Sequence, residues 1–158
     1  MQEKTERWIK YFSSGEIRLR ATDTLLKKSD TPVEVLFEII DSDPRIPQCR
    51  KAKKNLLKKP NYEIFAPTSR RLKSPYSHVR IIACEALREL GCHEATSHLV
   101  ALLEDHDAWV QRAAAENLGY LGDHSALISL KEKLHGIEND DINFRAALKF
   151  AIRRLESI

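Results

Sequence analysis

The chain has 158 residues, of which 42% are hydrophobic and 31% charged, so it has enough apolar content for a folded core and is not a disordered segment. Its apolar stretches fall short of the roughly 20 residues that a bilayer crossing needs, and its mixed-charge N-terminus leads into no apolar signal segment. We therefore expect neither a membrane span nor secretion. The formal net charge is +3, and the three cysteines lack the close spacing of metal or redox motifs, which favours a reducing, cytoplasmic location.

In chain order, the first predicted elements are short helices. One covers Lys4 to Phe12, and the next begins near Ile17 and carries Ala21 and Leu25 on one side. A third helix covers Thr31 to Asp41. The apolar residues in each recur at intervals of three or four positions, which is the spacing of one helix face.

The middle of the chain continues this series of helices. A fourth helix carries Ala52 and Leu56, and a fifth covers roughly Glu63 to Leu72. The sixth covers Val79 to Leu90 and stops at Gly91, because glycine commonly terminates helices.

The clearest feature is an internal repeat, since the segment from Val79 to Gly91 aligns with that from Val110 to Gly122 after a shift of 31 residues. Further helices are predicted over Glu94 to Glu104, His124 to Leu134 and Phe144 to Leu155. The helices form pairs, and no run of β-branched residues predicts a sheet. We predict one all-α domain over the whole chain, an α-solenoid of about five helical pairs with a period of about 31 residues. Its repeats are predicted near 1–29, 30–59, 60–91, 92–122 and 123–158.

A set of residues recurs at matching positions in the two best repeats. These are Val79, Arg80, Ala83, Ala86, Leu87, Leu90, Gly91, Ala95, Leu99, Leu102, Leu103, Asp105, Val110, Ala114, Leu118, Leu121, Gly122 and Asp123. The pattern resembles the phycobilisome-lyase type of HEAT-like repeat. The resemblance implies a right-handed superhelix in which the second helix of each pair lines the concave face.

The resemblance also implies a ladder of arginine and aspartate side chains that ties consecutive turns together, since guanidinium and carboxylate groups bond strongly. The arginines of this ladder are Arg18, Arg80 and Arg145, and the aspartates are Asp43, Asp105 or Asp107, and Asp140 or Asp141. We interpret these residues as structural.

Positive charge is concentrated in the segment from Arg45 to Lys73, which we call the basic belt. It holds ten Lys or Arg against one acid, Glu63, and the rest of the chain is acidic overall. Clustered charge steers encounter with an oppositely charged surface. We therefore predict a protein partner with an acidic patch, and a solvated face is the alternative.

The candidate partner-binding residues combine the expected concave face with the basic belt. They are Arg50, Lys51, Lys54, Lys58, Arg70, Arg71, Glu85, Arg88, Arg112, Glu116 and Arg153. An alternative interpretation is that Lys54 pairs with Asp23 and Glu85 across repeats, which would leave little net charge in the groove.

The predicted function is that of a non-catalytic protein-interaction scaffold or adaptor. Two alternatives stay open. A nucleic-acid-binding HEAT-like protein would use the basic belt, because DNA affinity grows with the number of phosphates neutralised. The resemblance implies the other, a bilin lyase subunit or related tetrapyrrole-handling protein, in which Arg50, Arg88 or Arg112 would meet bilin propionates.

The sequence predicts no catalytic, cofactor or metal site. His93 and Glu94 form a pair of the kind that holds iron in HEAT-like deoxyhypusine hydroxylases, but the matching His124 is followed by serine. Cys84 has Ala115 as its counterpart in the next repeat, so we interpret it as a small core residue. Cys92 falls in a turn, where we expect it to be accessible.

Overall fold

The computed structural model describes residues 22–28, 30–42, 47–137 and 141–158. Every regular element in these ranges is helical and none is a strand, so the all-α prediction is confirmed for them. The predicted helix from Lys4 to Phe12 lies outside the described residues, as do the ladder residues Arg18, Asp43 and Asp140.

Eight α-helices have both ends within the described ranges. They are α1 (Val33–Ser42), α2 (Pro47–Leu56), α3 (Asn61–Arg71), α4 (Ser77–Glu89), α5 (Thr96–Ala101), α6 (Ala108–Leu121), α7 (Leu127–Gly136) and α8 (Ile142–Glu156). Short 3-10 turns extend two of them, His93–Ala95 and Leu102–Glu104 on either side of α5 and His124–Ala126 before α7. None of the helices in the described ranges combines the length and apolar character that a bilayer crossing requires.

The chain divides into two compact units, Met1–Ile64 and Phe65–Ile158. In the first unit α1 packs against α2. Their buried side chains include Leu36, Phe37 and Leu56, and burying a side chain of this size contributes about 1.5 to 3 kcal/mol each.

The second unit contains a layer of three second helices, in which α6 packs against α4 on one side and α8 on the other. Helices α5 and α7 pack against α6 and α8. The repeated apolar positions of the sequence form the core of this unit. They include Ala83, Leu87, Val110, Ala114, Leu118, Phe144, Leu148, Ala151 and Leu155, and Val79 at the start of α4 is buried as well. The helical period thus turns one stripe of each second helix inward.

Arg80 and Asp105 form the predicted ladder contact at the junction between α4 and α6. The guanidinium donates two hydrogen bonds of 2.8 Å to the carboxylate and one of 2.7 Å to the Ser74 carbonyl oxygen. Both side chains are about 95% buried, so water hardly solvates either charge and each side chain compensates the charge of the other.

The ladder does not continue in the same form. Gln111 stands at the position of Arg80 on α6 and donates to the Asp105 carbonyl oxygen at 2.6 Å. On α8, Arg145 donates to the Ile137 carbonyl oxygen at 2.8 Å, while Asp141 accepts a hydrogen bond from the Phe144 amide and caps the helix. Within the described residues, neither Arg145 nor Asp141 forms the guanidinium–carboxylate contact that the resemblance implies, and the alternative Asp140 lies outside those residues.

Two further aspartates begin helical elements. Asp107 accepts from the Trp109 amide at 2.8 Å at the start of α6. Burial opposes its ionisation, but the hydrogen bonds from the Trp109 amide and the Ser77 hydroxyl outweigh it, so the pKa of Asp107 is lowered. Hydrogen bonds from the Thr96 hydroxyl, at 2.5 Å, and from the Ser125 amide lower the pKa of Asp123 in the same way.

All three cysteines are buried free thiols. Burial raises the pKa of Cys84 to about 12, which fits the interpretation as a core residue. Cys92 is also buried, so the expectation of an accessible thiol is wrong. The reason is local, since Gly91 adopts a positive φ of 62° and the Cys92 amide then bonds back to the Leu87 carbonyl oxygen.

Candidate partner-binding face

One side of the three second helices in the Phe65–Ile158 unit carries side chains that are not part of the core. Positions three or four apart on each helix share this side. We call it the second-helix face, and it consists of Glu85, Arg88, Arg112, Glu116, Tyr120, Ala146, Phe150, Arg153 and Arg154. The layer of α4, α6 and α8 therefore brings together five of the predicted site residues, Glu85, Arg88, Arg112, Glu116 and Arg153.

In the middle of this face, Arg112 and Glu116 pair with each other on α6. The guanidinium nitrogen and the carboxylate oxygen are 2.8 Å apart, and both side chains are about 40% exposed. The Arg112 guanidinium also lies 5.9 Å from the centre of the Trp109 ring. Since a pair at this spacing is satisfied along one helix, it contributes only about 0.3 to 0.5 kcal/mol and leaves little net charge there.

The most distinctive part of the face is an aromatic and cationic cluster at the far ends of the helices. The rings of Tyr120 and Phe150 lie with centroids 5.2 Å apart. Two guanidinium groups stack on the same tyrosine, Arg88 at 5.3 Å and Arg154 at 5.0 Å from the ring centre. Tyr120 is still 49% exposed, so the cluster presents aromatic surface held in place by cations from both neighbouring helices.

Gly119 allows this cluster to form. A Cβ atom at this position would lie 2.7 Å from the Ala151 Cα atom and 3.5 Å from the Phe150 ring. Real Cβ contacts are not that short, so α6 and α8 approach each other as closely as they do only because residue 119 has no side chain. The close approach sets the distance between Tyr120 and Phe150.

A shallow cavity of about 490 Å³ lies along the exposed side of α8. It is lined by Ala146, Lys149, Phe150, Arg153, Arg154 and Ser157, which we call the α8 groove. Three of these six residues are cations, and Phe150 belongs to both the groove and the aromatic cluster.

The basic belt is distributed over both units. Arg50, Lys51, Lys54 and Lys58 are exposed in the first unit, while Arg70 is exposed and Arg71 half-buried in the second. Asp23 is paired with Lys51 at 3.3 Å, and not with Lys54 as the alternative interpretation had it.

The sequence prediction did not include Tyr120 and Arg154 of the second-helix face or Lys149 of the α8 groove. Each of these three residues stands one position away from the template positions used to choose site residues. For Tyr120 the available signal was Gly119, because a residue without a side chain leaves room on the helix face beside it.

In the part of the chain that the structure describes, no group of three or more His, Cys, Asp or Glu side chains is placed to hold a metal ion. His93 lies 4.0 Å from Asp123, a contact that belongs to the turn before α5.

Comparison with curated proteins returns no significant match. Among solved structures, an engineered protein whose crystal structure was determined by the Northeast Structural Genomics Consortium aligns at 22% sequence identity and a TM-score of 0.52. The alignment covers 95% of this chain and 78% of the engineered one, and at this identity it shows a shared fold alone. The family model for HEAT repeats matches residues 66–151, more than half of the sequence. The chain belongs to the HEAT-repeat family.

Proposed function

We propose that this protein is a non-catalytic interaction module, a scaffold or adaptor, that binds a protein partner on the second-helix face. The observation that carries the proposal is the exposed pair Tyr120 and Phe150 with arginines on both sides. Tyrosine, tryptophan and arginine are the residues that contribute most to binding at protein interfaces. The free thiols and their burial fit the proposed cytoplasmic setting.

Charge supports an acidic partner. In the second unit, three cations line the α8 groove. In the first unit, the belt residues Arg50, Lys54 and Lys58 are exposed. Clustered positive charge on either unit raises the rate at which an acidic surface is encountered. On the second-helix face, the proposed binding residues are Glu85, Arg88, Arg112, Glu116 and Arg153, together with Tyr120. The belt residues Arg50, Lys51, Lys54, Lys58, Arg70 and Arg71 are a separate proposed contact surface.

Photocrosslinking tests the proposal directly. A benzoylphenylalanine replaces Glu116 on the second-helix face, and a matched one replaces Ile128, which is 70% exposed on α7. We expect a partner protein to crosslink at position 116 and not at 128. The partner is then identified by mass spectrometry, and its binding to the purified protein is measured by calorimetry.

The aromatic pair provides the quantitative test. The double variant Tyr120→Ala, Phe150→Ala is expected to weaken binding of that purified partner by about 30-fold or more, as for other interface hot spots. Ile128→Ala is the control and should leave the affinity unchanged. Equal crosslinking at both positions, or unchanged affinity of the double variant, would contradict the assignment.

Nucleic acid is the second candidate ligand, and the exposed cations on and after α2 favour it. If it is correct, the protein binds a short DNA duplex, and the affinity falls steeply between about 50 and 200 mM salt. Absence of binding at low salt would exclude this candidate.

The finer assignment to the phycobilisome-lyase type of repeat stays a proposal. Arg88 and Arg112 on the second-helix face are suited to the propionates of a bilin, as charge-assisted donors. An added bilin should then shift its absorbance in the presence of the wild-type protein and not with Arg88→Ala, Arg112→Ala. An unshifted spectrum with the wild type would exclude it.

A further inference from the structure

We infer that the α8 groove binds an acidic linear segment of the partner protein, with its carboxylates on Lys149, Arg153 and Arg154 and an apolar side chain against Phe150. This inference deepens the proposed function and rests on it. It commits to one site and to one partner chemistry.

The first argument comes from the residues that α4, α6 and α8 carry at equivalent positions. Cys84 on α4 and Ala115 on α6 are fully buried in the helix layer, whereas the equivalent residue on α8 is the exposed Lys149. Likewise Gly119, which receives the backbone of α8, has Arg153 as its counterpart. α8 therefore lacks the small-residue stripe through which α6 accepts a neighbouring helix, and long cationic side chains stand in its place.

The second argument is uncompensated charge. Within the described ranges, no carboxylate pairs with Lys149 or Arg153, and the nearby Glu156 is held by Lys131 at 2.6 Å. Arg154 is oriented by the Tyr120 ring and not by an acid. Three cations that line one cavity without a counter-charge create a local positive potential, which an anionic ligand would neutralise.

The third argument is the combination of charge with an apolar anchor. Phe150 lines the groove and touches Tyr120, so a bound segment meets aromatic surface beside the cations. From Ala146 to Ser157 the helix rises about 16 Å, a length that about five residues of extended chain cover. Arginine pairs with carboxylates in a planar, two-point geometry. A short segment with two or three acids and one aromatic residue fits these features.

The probe is a fluorescein-labelled peptide of sequence Ser-Glu-Trp-Asp-Glu-Ser, and its binding to the full chain is followed by anisotropy. We expect saturable binding that weakens as salt rises. The amidated counterpart Ser-Gln-Trp-Asn-Gln-Ser should bind at least about tenfold more weakly, because its contacts are not charge-assisted.

The variant Lys149→Glu, Arg153→Glu should lower the peptide affinity by about tenfold or more. Both side chains are exposed, so the fold should persist, as circular dichroism will show. The matched control is Lys27→Glu, Lys28→Glu, two exposed lysines outside the basic belt, which changes the net charge equally and should alter the affinity by less than about twofold. Phe150→Ala should weaken the acidic peptide and the amidated peptide alike, since it removes the apolar contact only.

Several outcomes would overturn the inference. They are absence of peptide binding, equal losses in the groove and control variants, or displacement of the peptide by a DNA duplex that binds more tightly. The crosslinking experiment at position 116 separates the two claims. If the groove variant still crosslinks the partner as efficiently as the wild type, the groove inference fails and the proposed function stands. If the wild type captures no partner, the proposed function fails.

Discussion

The two junctions of the second-helix layer use different chemistry to hold equivalent helices together. Between α4 and α6 the contact is supported by a buried ion pair, Arg80 with Asp105. Between α6 and α8 it depends on a missing side chain, because Gly119 lets the helices approach. Equivalent positions in a repeat therefore need not have equivalent roles, and the two junctions should fail in different ways when altered.

The largest loss of stability is expected at the junction between α4 and α6, which contains the buried Arg80–Asp105 ion pair. Asp105→Ala leaves the Arg80 guanidinium buried without its carboxylate, which should cost about 3 to 5 kcal/mol of unfolding free energy. Urea unfolding monitored by circular dichroism measures the loss. The double variant Arg80→Met, Asp105→Leu should recover most of it, because no buried charge remains unpaired. A single variant as stable as the wild type would show that the pair does not hold the junction.

A smaller loss of stability is expected at the junction between α6 and α8, where Gly119 lets the two helices approach. Gly119→Ala introduces a Cβ atom 2.7 Å from the Ala151 Cα atom, so α6 and α8 must separate. Overpacking of this kind costs about 1 to 3 kcal/mol, read by the same urea titration. The control variant is Gly136→Ala. A Cβ atom at residue 136 would meet nothing within 4 Å, so this variant should not destabilise the protein. Equal stabilities of the two variants would contradict the close approach.

The carboxylates of Asp107 and Asp123, which cap the helical elements that follow them, should contribute about 1 kcal/mol to the free energy of unfolding. This contribution should depend on pH. The pKa values of Asp107 and Asp123 are lowered in the folded state. Their contribution is thus present above the unfolded pKa near 4 and lost as the pH falls below it. The variants Asp107→Asn and Asp123→Asn should be less stable than the wild type at pH 7. In thermal melts, the difference in melting temperature between variant and wild type should shrink towards pH 3. A gap that is constant with pH would exclude this origin.

The smallest effect is expected on the face itself. Glu116→Gln breaks only the exposed contact with Arg112, so the unfolding free energy should change by less than about 0.5 kcal/mol. The same variant in calorimetry with the purified partner shows whether the central part of the second-helix face contributes to binding. A loss above about 1 kcal/mol in stability would mean that the pair is not merely a surface contact.

The repeated core was predictable from the sequence, and the binding surface only in part. Val79, Val110 and Phe144 follow a helical period, and burial of such a stripe depends on spacing alone. The role of Arg80 came from the family resemblance, which left Asp105 and Asp107 both open as its partner, and the structure places Asp105 against it. Helix capping by Asp141 was missed, because a capping aspartate and a ladder aspartate look alike until the helix start is known to the residue.

Tyr120 shows why the rest of the surface was missed. Choosing exposed positions at fixed intervals assumes that each carries a side chain, and Gly119 does not. The adjacent tyrosine then fills the space, where Arg88 and Arg154 from two other helices stack on it. Such a cluster depends on the distance between helices, which a single-sequence pattern does not contain.

The three buried thiols allow local opening of the native protein to be measured by cysteine labelling. Cys84 has no exposed surface, and Cys49 and Cys92 keep only 4% and 8% of theirs, so a thiol reagent reacts with each of them faster when the surrounding structure opens. The labelling rate of each cysteine under native conditions therefore measures a local opening equilibrium. With single-cysteine variants, the order in which the two units open can be read without adding any label site.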